Sequence, residues 1–205
     1  MGERIVYKKL SKTQFIALNA LFLAIILLSL AFPLQFGPVS LAILPVLTAI
    51  VATAAFGLKN GLVAGSMFGM ISFIGSFIAP SLLAQAFRNP IISLLPRILI
   101  PVVVYVVING LNKLFPKLKH PIIFAIGAIA GVVTNTVGVI GFILLFNFGS
   151  QFGYLDASVV IGWEWMVTIL ITNSIAELVA CLILTPPITM ALKAAMKKGT
   201  RVVKD

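Results

Sequence analysis

Ile91-Ile92-Ser93-Leu94-Leu95-Pro96-Arg97-Ile98-Leu99-Ile100-Pro101-Val102-Val103-Val104 is an apolar run long enough to enter a bilayer, and it carries one cation, Arg97. A guanidinium in such a run costs roughly 2.5–3.5 kcal/mol on insertion scales, so it normally faces a partner group, a cavity or a ligand. Arg97 is therefore the first functional candidate in the chain.

The rest of the sequence gives that run its setting. Of 205 residues, 60% are hydrophobic and only 10% charged, and the mean hydropathy is +1.16. A soluble domain of this size could not hide so much apolar surface, which predicts an all-α integral membrane protein embedded in a lipid bilayer. The net charge of +10 does not indicate nucleic acid, because the cations cluster between apolar stretches instead of lying on one polar face. At about 20 residues per crossing, the sequence divides into six transmembrane helices in a single membrane domain spanning 1–205, near 15–32, 41–56, 61–78, 90–111, 121–148 and 161–192. The glycines and polar pair of Gly57-Leu58-Lys59-Asn60-Gly61 predict a tight turn between the second and third. The last two spans are long for a bilayer, which predicts tilt or protruding ends.

Six crossings put both termini on one side, and that side holds every Lys and Arg among the 15 except Arg88 and Arg97. The positive-inside bias then places both termini in the cytoplasm and turns the connections 33–40, 79–89 and 149–160 outward. The basic N-terminal stretch with its apolar continuation is read as an uncleaved first helix, since five further spans follow. Cys181 is the lone cysteine and is expected to be a buried thiol, while one histidine, His120, cannot build the usual zinc shells with it. No phosphate-cradling glycine loop occurs, and the five acidic residues supply no paired-carboxylate chemistry, so an enzyme is not expected and no cofactor or metal is implied.

Polar groups inside the spans remain. Arg97 lies about two turns from the outer end of the fourth span; Thr134, Asn135 and Thr136 lie in the fifth; Thr172, Asn173 and Glu177 lie in the sixth. At 1.5 Å per residue these reach comparable depths and can converge on one cavity. They also admit a bland reading, in which Arg97 pairs with Glu177 across helices and the Asn and Thr side chains bond neighbouring backbone. Trp163-Glu164-Trp165, preceded by Phe146, Phe148, Phe152 and Tyr154, reads either as an interfacial aromatic belt or as a lid over a ligand. On the first helix Ala17, Ala20 and Ala24 share a face, leaving a shallow groove where another backbone can approach. Gly61, Gly65 and Gly69 give the third span a similar small face, read as internal packing.

The six-span layout, Ala20-x-x-x-Ala24 and the missing nucleotide motif resemble the substrate-binding S component of an energy-coupling factor (ECF) vitamin transporter, over essentially the whole chain. Gly57–Gly61, Phe68-Gly69-Met70-Ile71-Ser72-Phe73, Pro96-Arg97-Ile98-Leu99-Ile100 and the stretch from Glu177 to Ile188 look most like the pantothenate type. The resemblance implies capture of a vitamin near the outer face, docking through Ala17, Ala20 and Ala24 onto a membrane coupling subunit, and energy from two cytoplasmic ATPases. It also implies a prokaryotic plasma membrane, and inward delivery by toppling of the whole subunit. Pantothenate is an anion with an amide and two hydroxyls. Arg97 suits its carboxylate, and Asn135, Asn173, Gln85 and Asn89, with Thr134 and Trp165, suit the remainder. Thiamine would favour Glu164 with Trp163 and Trp165, and folate or riboflavin a larger aromatic slot. A secondary transporter or channel subunit would call for more intramembrane carboxylates than Glu177, and a membrane scaffold would make Arg97 and Glu177 a structural pair.

Overall fold

The computed structural model describes residues 5, 7, 10–31, 34–36, 39–78, 84–147, 152–153, 160–161 and 163–201; at 30–31, 34–36, 39–41, 85, 147, 152–153, 160–161, 163–167, 169–170 and 197–201 the description is of backbone alone. Among the described residues, seven helices and two short strand pairs follow in the order α1 (Lys12–Ala31), β1 (Leu34–Phe36), β2 (Val39–Leu41), α2 (Ile43–Phe56), α3 (Leu58–Ile78), α4 (Ala84–Phe87), α5 (Pro90–Leu114), α6 (His120–Asn147), β3 (Phe152–Gly153), β4 (Val160–Ile161) and α7 (Trp163–Arg201). Among the described residues five helices, α1, α3, α5, α6 and α7, are long and apolar enough to cross a membrane. The protein is a multi-pass helical membrane protein.

The sequence predicted a second span near 41–56; the helix found there, α2, has 14 residues. At 1.5 Å per residue that is about 21 Å, short of a hydrocarbon core of about 30 Å. Its surroundings explain the length. Every residue from Pro45 to Phe56 is buried, as expected of a helix apolar on all sides that is enclosed by other helices. Just before it the chain forms an antiparallel hairpin, with Leu34 opposite Leu41 and Phe36 opposite Val39.

The turn between α2 and α3 is also tighter than its five-residue signature suggests. Leu58 is already helical, and the whole reversal is taken up by Gly57 at φ +87°, a left-handed conformation that suits glycine. Tyr7 packs on this residue, its Cγ 3.3 Å from where a Cβ would stand. The preceding chain is tied to the same end of the bundle: the Ile5 amide donates to Asn112 Oδ1, and the Tyr7 ring lies 5.8 Å from that of Tyr105, with Lys193 Nζ 4.8 Å above it. Burial pushes the Tyr7 phenol up to about 12, so it stays protonated at physiological pH.

α5 is the hub, packing chiefly against α6 and α3. Glycines set the spacing. A Cβ at Gly65 would lie 2.5 Å from the Arg97 carbonyl oxygen, and one at Gly69 would lie 2.9 Å from Leu94 Cα, so α3 rides on α5 at near backbone contact. On the other flank, a Cβ at Gly138 of α6 would come 3.0 Å from Pro96 Cβ. The small face of α3 is thus internal packing, and it is directed at the segment around Arg97.

Candidate functional site

Two prolines in α5 prepare the position of Arg97. Pro96 has no N–H, so the carbonyl of Ile92, four residues earlier, loses its helical donor. Arg97 Nη1 supplies a replacement at 2.8 Å. Pro101 likewise removes the donor to the Arg97 carbonyl, and Gly65 of α3 packs against that freed oxygen. The Pro96-Arg97 pair in the middle of an apolar helix is therefore a local device: one residue opens an acceptor and its neighbour's side chain folds back onto it.

The guanidinium is buried, with the residue 4% exposed. Its carbon stands 5.3 Å from the ring centroid of Phe68 on α3 and 4.6 Å from that of Phe87 on α4, so two aromatic faces sandwich the cation. Such contacts hold the charge without neutralising it. Nε has no partner. Phe87 is itself fixed, because the Ser93 hydroxyl donates to its carbonyl, and the next residue, Arg88, donates through Nε to Ser76 O at 3.4 Å. Asn89 then caps α5, its Oδ1 accepting from the Ile91 amide at 3.0 Å.

Facing this cation from α7 is Glu177, also 4% exposed. The two groups lie close enough to influence one another, and Asn135 of α6 stands beside the same carboxyl. The Glu177 carboxyl is also tied to backbone: Oε1 accepts the Ala42 amide at 3.0 Å, at the start of α2. Asn135 is 7% exposed and its Oδ1 is unpartnered. Three helices, α5, α6 and α7, thus bring together a forked cation with an open donor, an open amide oxygen and a carboxyl group already engaged with backbone. An anion with additional amide and hydroxyl groups finds complementary chemistry there.

The other sequence candidates divide. Asn173 is half-buried one turn before Glu177, so the two share a helix face. Thr134 donates to Ala130 O at 2.7 Å, and Thr136 bonds Val132 O and Ser174, which is the backbone-bonding behaviour of threonines inside membrane helices. Asn89 serves as a cap, as above. Gln85 lies in α4 and Trp165 in the first turn of α7, where the side chains are outside the described residues, as are those of Trp163 and Glu164. Ala17, Ala20 and Ala24 are all exposed on α1. Phe68, Phe87 and Ser93 were missed as site residues: an aromatic or serine in an apolar run gives no signal until the helices are in place.

No protein-family profile matches the chain. Two curated proteins do. One is the pantothenic acid transporter PanT of Lactococcus lactis subsp. cremoris (strain MG1363), 31% identical over 209 residues, covering 91% of this chain and 97% of that protein. The chain belongs to the PanT pantothenate-transporter family. The other, the pantothenate transporter PanT of Leuconostoc mesenteroides subsp. mesenteroides, is 28% identical over 193 residues, covering 87% of this chain and 91% of that one. Coverage of this extent means the membership concerns the whole helical assembly around Arg97, and the resemblance to pantothenate-type proteins read from the sequence holds.

Proposed function

We propose that this chain is the substrate-binding S component of an ECF-type importer, capturing pantothenate at the outer face of the cell membrane and delivering it inward with a membrane coupling subunit and two cytoplasmic ATPases. The observation that carries the reading is the buried, incompletely bonded guanidinium of Arg97 in a member of a pantothenate-transporter family. A dry cation held by ring faces and one carbonyl attracts a carboxylate strongly, since both partners gain what the apolar surroundings withhold. Asn135 Oδ1 accepts from the vitamin's amide or a hydroxyl, and Asn173 extends the same lining.

Five long helices and the buried α2 make six crossings in this reading, α2 spanning the remaining depth together with its hairpin, and the cationic ends place both termini in the cytoplasm. Arg97 then lies in the outer half, seven residues or about 10 Å from the start of α5. The exposed alanines of α1 supply the docking face for the coupling subunit.

Two measurements test this. The purified chain, titrated with a panel of water-soluble vitamins and followed by native mass spectrometry, is expected to retain pantothenate in preference to thiamine, riboflavin and folate. Tagged chain drawn from its own membranes is expected to bring a membrane partner and two ATPases. Tight retention of a cationic vitamin would overturn the ligand assignment, and uptake by the chain alone in vesicles without ATPases would overturn the importer.

A further inference from the structure

Glu177 is a carboxylate in the wrong place for a protein that captures an anion. It is buried close enough to Arg97 for the two groups to influence one another, and in its ionised form it would repel an incoming carboxylate seeking the same guanidinium. Its hydrogen bond runs elsewhere: Oε1 accepts the amide of Ala42, the residue between β2 and α2. That amide belongs to the first turn of a helix, where no intrahelical acceptor exists, and the cap residue offers no side-chain bond of its own. Arg97, meanwhile, does not depend on Glu177 for its position, since Ile92 O and the rings of Phe68 and Phe87 hold it.

We propose that Glu177 is a positioning and specificity-determining residue with two separable roles: its oxygen pins the junction between the first outward hairpin and α2 to α7, and its charge is the resident counter-charge of Arg97, which tempers anion capture so that the ligand can be released. This rests on the pantothenate reading above. The roles separate chemically because glutamine keeps the acceptor and loses the charge, whereas alanine loses both.

The test uses the full-length chain in detergent, with pantothenate and its neutral alcohol analogue, in which the carboxylate is replaced by a hydroxymethyl group. Glu177→Gln is expected to bind pantothenate roughly tenfold more tightly, the size of one like-charge repulsion across a partly screened interior, and the alcohol with unchanged affinity. Glu177→Ala is expected to weaken both ligands and to speed hydrogen exchange at the Ala42 amide, which Glu177→Gln leaves protected. Equal or weaker pantothenate binding by Glu177→Gln, with a wild-type protein that binds, overturns the counter-charge role. Unchanged Ala42 exchange in Glu177→Ala overturns the pin; should that variant fail to accumulate, faster Ala42 exchange in Glu177→Gln does the same. A wild-type chain that binds no pantothenate overturns the vitamin reading and the counter-charge with it, while Ala42 exchange still decides the pin.

Discussion

Pro96 makes the clearest prediction at the scale of one residue. Replacing it by alanine returns an N–H to position 96, and that group competes with Arg97 Nη1 for the Ile92 carbonyl. Helix propensity improves by up to ~3 kcal/mol, so thermal stability is expected not to fall. Pantothenate affinity, however, is expected to drop about tenfold, the worth of a hydrogen bond to a charged group at ~1.5 kcal/mol. Calorimetry and a melting curve on the same preparation check both halves, and a loss of stability together with affinity would mean that Pro96 matters only for packing. Phe87→Leu removes the nearer of the two rings from the guanidinium and is expected to weaken binding by up to about 2 kcal/mol, roughly thirtyfold, for a desolvated contact.

Between elements the decisive feature is the glycine contact of α3 on α5. Gly65→Ala places a methyl 2.5 Å from the Arg97 carbonyl oxygen, so the helices must separate. Overpacking of this kind typically costs 1–3 kcal/mol, and here the displaced backbone is the one that carries Arg97. Gly65→Ala is expected to lower both melting temperature and affinity, whereas Gly110→Ala, with nothing within 4 Å of the new methyl, is expected to leave affinity alone and raise stability slightly. Equal effects of the two would show that the α3–α5 spacing does not position Arg97.

These helices were legible in the sequence because length and hydropathy alone define a crossing, and Arg97 stood out because a cation in that setting is costly. The short α2 was not distinguishable from a span, since a run of apolar residues reads the same whether lipid or protein surrounds it. The small face of Gly61, Gly65 and Gly69 could be assigned to internal packing from composition, but its target on α5 could not. Glu177 was visible as an intramembrane carboxylate; its partner, a backbone amide 135 positions earlier, has no sequence signature. Phe68 and Phe87 come from different elements and meet Arg97 only in three dimensions.

For the whole molecule, the account requires a subunit that binds ligand alone and transports only in company. Ala20 and Ala24 are exposed on α1, which packs on α2 and α3. Ala20→Trp and Ala24→Trp are expected to leave pantothenate binding by the isolated chain unchanged and to abolish assembly with the coupling subunit, and with it uptake into cells, because each indole fills the groove where backbones must approach. Normal uptake by both variants would remove α1 from the docking face. The most direct test of the central claim is a calorimetric titration of wild-type and Arg97→Ala protein with pantothenate and its alcohol analogue. Loss of the charge-assisted pair is expected to weaken the anion by about 2–5 kcal/mol, at least thirtyfold, and to leave the alcohol within a few-fold of wild type. Equal pantothenate affinity in the two proteins, or equal loss for anion and alcohol, would contradict the assignment of Arg97 to the vitamin's carboxylate.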